Sequence, residues 1–504
     1  MAQRPLALIA GALVCALTLV PVGAVLWRAD GLSAFGPGAW QALRFTLWQA
    51  MLSAALSVLL AIPVARALAR RRFRGRSLLV TLLGAPFILP VIVAVLGLVS
   101  VFGASGLVNR GLDVLGVPGM TIYGAHGVIL AHVFFNLPLA TRMILQGWLA
   151  IPGERFRLAA SLGLSSREMF RVIEWPMLVR IGPQAAAVIF VICLSSFAVA
   201  LTLGGGPRAT TVELAIYQAL RFDFDLGRAA MLACLQLALA LAAGLVALRL
   251  SGRAGQGAGL DRVVPRWDAA RGPARALDAF AIGLAALFLL TPLALVALNG
   301  APGLPDLGWP VWRAALHSIA VALLSTALCL IWALPLATRR GEVVGLLGIA
   351  VSPLVLGTGL FILVRPYVNP VALALPATAL VNALVALPFA LRILRPEAEA
   401  VRTDYGRLAA ALGLSPRLWL TRILLPRLRR PLGFAAGLTA ALSMGDLGVI
   451  ALFADPERAT LPLQVYRLMG SYRMEAAQGA ALLLLALSLA LFWLFDRGGR
   501  VADA

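Results

Sequence analysis

The sequence predicts an all-α, polytopic membrane protein built from two tandem six-helix modules. Hydrophobic residues make up 61% of the 504 residues and charged residues 13%, with a mean hydropathy of +0.92. Soluble domains are only about half apolar. Twelve apolar segments each reach about 20 residues, the length that crosses the hydrocarbon layer as a helix. An offset of 250 residues brings the two halves of the sequence into register.

The twelve predicted membrane helices follow one another along the whole chain. They run over 5–27, 45–69, 78–102, 124–149, 182–203, 228–250, 277–298, 314–338, 343–364, 371–394, 432–453 and 475–496. These segments are continuously apolar, whereas barrel strands alternate apolar and polar residues, so helices are expected. The first segment is long and has no convincing signal-peptidase site, so we expect it to remain as a membrane helix.

Arginines concentrate in alternate connections between the predicted helices. The second connection holds Arg66, Arg70, Arg71, Arg72, Arg74 and Arg76. The third holds only Arg110, together with Asp113. The positive-inside rule therefore places the second connection in the cytoplasm, and counting onward places both termini there. The net charge of +21 then reports membrane orientation and not binding to nucleic acid.

The internal repeat is clearest in two long polar connections. Residues 158–165 read LAASLGLS and residues 408–415 read LAAALGLS, so seven of eight positions agree. Because each half has six helices, both halves enter the membrane with the same orientation. The predicted units are a first module over 1–250, a cytoplasmic linker over 251–276 and a second module over 277–504.

Each repeated connection is predicted to form a helix, a turn and a second helix at the membrane surface. The alanine-rich first helix ends at Gly163 or Gly413, and the second runs to Pro176 or Pro426 before the next membrane segment. Glycine permits the tight turn, and the small alanines allow another protein to approach closely. The alternative is a pair of amphipathic helices that only rest on the lipid headgroups.

The spacing of Gly163, Ile173 and Pro176, repeated in the second half, resembles the EAA motif of permease subunits in binding-protein-dependent ABC importers. The resemblance implies two type I importer permease modules whose loops couple to an ATPase pair. The coupling residues it implies are Ala159, Ala160, Gly163, Ile173, Pro176, Ala409, Ala410, Gly413, Ile423 and Pro426. Two positions depart from the motif. Arg157 and Arg407 occupy the position at which the motif has its leading glutamate, so contacts made by that glutamate are not expected here. Trp175 replaces the leucine that precedes the first motif proline.

Three further stretches, 129–146, 201–220 and 442–453, resemble the fused permeases of thiamine and thiamine pyrophosphate importers. This resemblance implies ATP-driven import of thiamine or its pyrophosphate across a bacterial inner membrane. It also implies a cytoplasmic ABC ATPase homodimer, a periplasmic thiamine-binding protein and the lipid bilayer as partners. Ferric iron permeases resemble the chain more loosely, and ferric iron is the alternative substrate.

Polar side chains within the apolar segments are candidates for lining a transport pathway, because they are costly at membrane depth. They are His132, Asn136, Ser195, Ser196, Asn382, Ser443 and Asp446. His132 and Asn136 share one helix face at a spacing of four residues. The alternative is that each of these side chains only bonds neighbouring helices together.

Catalysis, a cofactor and a metal site are not expected. The chain has no lysine, so it has no P-loop of the standard kind, and ATP hydrolysis is assigned to a separate chain. Three histidines and four isolated cysteines form no catalytic or metal-binding pattern. A secondary transporter usually needs several intramembrane acids, whereas Asp446 is the only acid that the sequence places near mid-span.

Overall fold

The computed structural model describes residues 3–29, 36–84, 88–250, 272–345, 347–453 and 457–500, and these ranges fold into helices joined by turns and short connections. The first half contains α1 (Gln3–Arg28), α2 (Pro37–Arg70), α3 (Arg76–Leu82), α4 (Val91–Phe102), α5 (Leu107–Val114), α6 (Ala125–Leu149), α7 (Gly153–Ser161), α8 (Ser166–Met169), α9 (Trp175–Leu194), α10 (Phe197–Leu203), α11 (Val212–Arg221) and α12 (Leu226–Leu250).

The second half contains α13 (Gly272–Gly300), α14 (Trp309–Leu336), α15 (Arg339–Gly345), α16 (Leu347–Ala350), α17 (Pro353–Val364), α18 (Ala374–Ala411), α19 (Pro416–Leu418), α20 (Leu425–Met444), α21 (Gly448–Phe453), α22 (Leu461–Gly470) and α23 (Met474–Arg500). Short 3-10 turns cover Pro207–Ala209 and Pro370–Leu373. Residues 251–271 of the predicted linker lie outside the described residues, and its last residues, 272–276, already belong to α13.

Eleven helical segments in the described ranges are long and apolar enough to cross a membrane, which confirms the all-α polytopic class. The predicted helix at 343–364 is wrong as a single helix, because the chain there is divided among α15, α16 and α17. Ser352 caps α17 by accepting a hydrogen bond from the Val355 N–H at 3.4 Å, and Pro353 begins the new helix.

The predicted helix at 78–102 is wrong in the same way, since α3 ends at Leu82 and α4 begins after Pro90. Proline has no N–H to continue a preceding helix, and it is tolerated at a helix start. The resulting helices α4 and α17 are both 12 residues long. The third membrane segment of each half is therefore interrupted at an equivalent point.

The opening helix of each half packs against the other half. Helix α1 lies against α14 and α17, and α13 lies against α2 and α4. A Cβ atom at Gly359 would lie 2.2 Å from the Pro21 carbonyl oxygen, and one at Gly97 would lie 2.7 Å from that of Pro292. Glycine thus lets the two backbones touch in both contacts that an opening helix makes with the other half. This exchange of opening helices, α1 onto the second half and α13 onto the first, holds the two halves together.

Short buried helices in the two halves are positioned by hydroxyl groups from the long membrane helices. The Val212 N–H at the start of α11 donates to Thr46 Oγ1 at 2.9 Å. The Leu461 N–H at the start of α22 donates to Ser318 Oγ at 2.7 Å. Both acceptors satisfy backbone donors that helix starts leave unpaired. The repeat therefore extends to the buried helices that follow α10 and α21.

Candidate functional site

A glycine with positive φ ends the first helix of each predicted surface loop. Gly163 has φ +66° and Gly413 has φ +62°, a conformation that other residues rarely adopt. In the first loop the Leu164 N–H donates to the Ala159 carbonyl at 3.1 Å, and the second loop repeats this bond at 3.0 Å. This is the Schellman ending of a helix. Both halves have the predicted helix, turn and second helix.

A serine starts the second helix of each loop. Ser165 Oγ accepts a hydrogen bond from the Glu168 N–H at 3.3 Å, and Glu168 Oε2 accepts one from the Ser165 N–H at 2.7 Å. In the second loop Ser415 Oγ accepts from the Leu418 N–H at 3.4 Å. The reciprocal bond needs an acidic or amide side chain, so only the first loop has the full capping box.

The second helix of each loop widens into a π-helical turn before it enters the membrane. These turns span Phe170–Glu174 and Trp419–Leu424. The Trp175 N–H donates to the Phe170 carbonyl five residues earlier, and a proline without an N–H comes next in both loops. The motif prolines thus sit where helices α9 and α20 change their hydrogen bonding, and π turns often occur at functional positions.

The loops expose an apolar surface. Four leucines, repeated between the halves, are exposed on it: Leu158, Leu162, Leu408 and Leu412. The sequence-predicted residues that share this exposure are Ala160, Gly163, Pro176, Ala410, Gly413 and Pro426. The remaining predicted residues, Ala159, Ala409, Ile173 and Ile423, are buried or half-buried and support the loops from inside. Sequence reasoning did not single out these exposed leucines, although the repeat contained them.

The two loops are attached to the membrane helices in different ways. In the first loop Glu174 is fully buried and accepts a hydrogen bond from Arg66 Nε of α2 at 2.8 Å. The same guanidinium lies 5.2 Å from the centre of the Phe170 ring. The position equivalent to Glu174 is Leu424, which is buried. An ion pair therefore anchors the first loop, and apolar packing anchors the second.

The two arginines that depart from the EAA pattern lie at the surface. Arg157 and Arg407 are both exposed. Arg157 Nη2 donates to Glu154 Oε1 at 2.7 Å, and both side chains are largely in solvent. Such surface pairs contribute at most about 1 kcal/mol. The Arg157 pair therefore contributes little to the stability of the first loop.

Four of the predicted pathway residues surround one cavity of about 190 Å³ in the first half: His132, Asn136, Ser195 and Ser196. His132 Nε2 is hydrogen-bonded to Ser196 Oγ, and its Nδ1 lies 3.3 Å from Ser53 Oγ. Asn136 Nδ2 donates to the His132 carbonyl at 2.8 Å. The break between α9 and α10 falls at the two serines, so it brings them against α6.

The other three predicted pathway residues lie in the second half. Asn382 Nδ2 donates to Ser443 Oγ at 3.0 Å, and Asn382 occupies the position that repeats His132. Asp446 lies in the break between α20 and α21, and its Oδ1 accepts from the Gly448 N–H at 3.2 Å. Its buried Oδ2 has no hydrogen-bond partner among the described residues. Asp446 thus caps α21 and keeps one free acceptor.

A second deeply buried acid, Glu213 of α11, was missed by the sequence reasoning. Glu213 is 2% exposed, and Gln236 Nε2 lies 3.5 Å from its Oε1. Its carboxylate is also hydrogen-bonded to the Ser352 side chain of the other half. A threonine cap followed by an acid is an ordinary helix start, so the sequence contained no sign of this burial.

An ion-pair cluster joins the two halves at the arginine-rich end of α2. Arg70 Nε donates to Asp278 Oδ2 at 2.7 Å, and Arg71 Nε donates to the same oxygen at 2.6 Å. Asp278 belongs to α13, the helix that crosses to the first half. The side chains of Arg70 and Asp278 are each 6% exposed. The exchange of α13 is thus fixed by charge as well as by apolar packing.

Comparison with known proteins places the chain among transport permeases. It is 41% identical over 511 residues to the thiamine transport system permease protein ThiP of Brucella abortus (strain 2308), which covers 98% of this chain and 93% of that protein. It is 42% identical over 484 residues to the protein of the same name from Escherichia coli (strain K12), which covers 91% of this chain and 89% of that protein.

A more distant relative matches only half of the chain. The molybdenum transport system permease protein ModB of Mycobacterium bovis is 30% identical over 249 residues, which is 49% of this chain and 91% of that protein. No protein-family model matches the chain.

Proposed function

Because the chain belongs to the family of thiamine transport permeases of bacterial ABC importers, we propose that it is the membrane path by which thiamine or thiamine pyrophosphate enters the cytoplasm. It is a multi-pass protein of the inner membrane. The 41% identity across 98% of the chain carries the proposal. That identity favours thiamine over ferric iron as the substrate. The alternative of a secondary transporter does not explain the two repeated loops, because such a transporter does not couple to an ATPase.

A separate cytoplasmic ATPase homodimer is the proposed energy source. The chain has no lysine and hence no P-loop of the standard kind. Its two loops present the same exposed leucines and the same glycine turn, so they fit two equivalent grooves. Exposed apolar patches of this kind mark contact with a protein partner. A periplasmic thiamine-binding protein is the proposed source of substrate on the opposite face.

The helices that leave the loops connect them directly to the buried polar residues. Helix α9 runs 20 residues from the first loop to the break at Ser195, which lines the cavity. Helix α20 runs 20 residues from the second loop to Met444, between Ser443 and Asp446. A tilt imposed on either loop by the ATPases would therefore move one wall of the path. This continuity is the proposed route of coupling.

The two halves are proposed to be complete permease modules over 1–250 and 277–504, joined by the linker over 251–276. The half-length match to the molybdenum transport system permease protein supports this division, because it spans 91% of that protein and 49% of this chain. The repeated loops and the equivalent interruptions before α4 and α17 also support it.

The arginine-rich connections and both termini are proposed to face the cytoplasm. We expect a maleimide that cannot cross membranes to label Arg110→Cys from the periplasm, whereas Arg72→Cys should react only after the cells are opened. Both positions are exposed. The four native cysteines would first be replaced by alanine. Labelling of Arg72→Cys in intact cells would reverse the proposed orientation.

The cavity around His132 is the proposed part of the path in the first half. Replacing His132 with leucine should lower thiamine uptake into proteoliposomes about five- to thirtyfold, since polar contacts of about 1–2 kcal/mol are lost. His132→Asn is the matched control, because asparagine occupies the equivalent position 382. It should retain most of the uptake. Equal thiamine uptake by the wild type and by His132→Leu would show that His132 is not part of the transport path.

A further inference from the structure

A long apolar groove lies at the seam where α13 of the second half packs on α2 and α6 of the first. Its volume is about 810 Å³. Residues from all three helices line it: Leu52, Leu56, Leu60, Leu130, Leu284 and Phe288. Several of these side chains are also open to the surroundings, including Leu60 and Leu284, which are 49% and 54% exposed. The groove therefore opens sideways, along the outer surface of the helical body.

The apolar part of the groove is about as long as one leaflet of a membrane is deep. Its apolar lining on α2 extends from Leu52 to Val64. At 1.5 Å per helical residue this distance is about 18 Å, close to half of the ~30 Å thickness of the hydrocarbon layer. An apolar channel of this length on the face of a membrane helix meets acyl chains, and not water or a folded soluble partner.

Positive charge is concentrated at one end of the groove only. Arg66 and Arg70 line that end, where they are ion-paired with Glu174 and Asp278, so the charge open to a headgroup lies on the exposed arginines beside them. Residues 66–76 contain six arginines and no acid, and two of these arginines, Arg72 and Arg74, are exposed. Arg275, in the first turn of α13, is exposed as well. The opposite end has His126 and no arginine among its lining residues.

We infer that this groove is a binding site for an anionic phospholipid of the cytoplasmic leaflet, whose acyl chain lies between α2, α6 and α13 and whose phosphate lies against the exposed arginines Arg72 and Arg74. Basic pockets between membrane helices on the cytoplasmic side bind acidic headgroups. The apolar length accounts for the chain, and the one-sided charge accounts for the headgroup. The bound lipid bridges the two halves at the exchanged helix α13.

The site is tested on the purified full chain in detergent with dioleoyl phosphatidylglycerol as the probe, by native mass spectrometry. Leu284→Trp places a large ring in the groove and should reduce the fraction of protein that retains the lipid. Leu287→Trp, on the same helix and 64% exposed but outside the groove lining, is the matched control and should retain it. Equal retention by the two variants would overturn the site.

The headgroup contact is tested separately. Each of the exposed arginines Arg72 and Arg74 should contribute about a fivefold preference for phosphatidylglycerol, so Arg72→Gln/Arg74→Gln should lose most of it. Arg110→Gln, at an exposed position in a different connection, should change nothing. Dioleoyl phosphatidylcholine should bind weakly to wild type. Equal binding of both lipids, or capture of a second copy of the chain in place of lipid, would contradict an anionic lipid site.

Discussion

Replacing Gly163 with valine is expected to cut the stimulation of ATP hydrolysis by substrate-loaded binding protein about tenfold or more. The position has φ +66°, where a β-branched residue is strained by roughly 1–3 kcal/mol. A Cβ atom there meets nothing within 4 Å, so the effect comes from the backbone and not from a clash. The strained turn would reorient α7 and its exposed leucines away from the ATPase. Gly413→Val should act in the same way on the second loop.

The matched control is asparagine at the same positions, since asparagine tolerates positive φ far better than other residues. Gly163→Asn and Gly413→Asn should therefore keep most of the stimulation. Expression should stay near wild type in all four variants because both glycines are exposed, and the valine variants should lose no more stability than the local strain of roughly 1–3 kcal/mol. Full stimulation in the valine variants, with the ATPase still bound, would show that the turn is not needed for coupling.

Replacing Asp278 with alanine is expected to destabilise the protein by about 3–5 kcal/mol, because it leaves Arg70 buried without its carboxylate. Arg70 and Asp278 are each 6% exposed, so solvent screens the pair little. The loss should appear as a lower thermal midpoint and a lower yield of the purified chain. Asp306→Ala, at an exposed position between α13 and α14, is the control and should have no such effect.

A second variant separates charge imbalance from lost packing at the same place. Changing Arg70, Arg71 and Asp278 together to leucine removes all three charges of the cluster, and replacing buried ion pairs by apolar residues is often neutral or stabilising. The triple variant should therefore recover much of the thermal midpoint lost by Asp278→Ala. If Asp278→Ala unfolds with the wild-type midpoint, the ion pairs do not hold α13 against the first half.

The surface loops could be predicted from the sequence because their signals are local. A glycine after an alanine-rich helix and a serine before the next helix each determine the backbone within a few residues. The wide turn before Pro176 was not predicted, because a missing N–H can be accommodated by a kink, a break or a π turn. Which of these occurs depends on the packing around Phe170 and Glu174, and the sequence alone does not give that packing.

The exchange of α1 and α13 between the halves could not be predicted either. Hydropathy identifies a membrane helix but carries no information on its neighbours, since leucine and alanine pack against any apolar surface. The contact of Gly97 with the Pro292 backbone joins residues far apart in the chain. The same limit explains Glu213, whose burial depends on Gln236 and Ser352 arriving from other helices. The polar residues of the first half were predicted individually from the sequence, and the break at Ser195 brings four of them together around one cavity.

The most direct measurement is ATP hydrolysis by the chain reconstituted in proteoliposomes with its ATPase and a thiamine-binding protein. The expected result is stable association with the ATPase and hydrolysis that rises when the binding protein carries thiamine or thiamine pyrophosphate. An iron-loaded ferric-binding protein should leave the rate unchanged. If the ATPase does not associate, or if only the iron-loaded protein stimulates hydrolysis, the chain is not the permease of a thiamine importer.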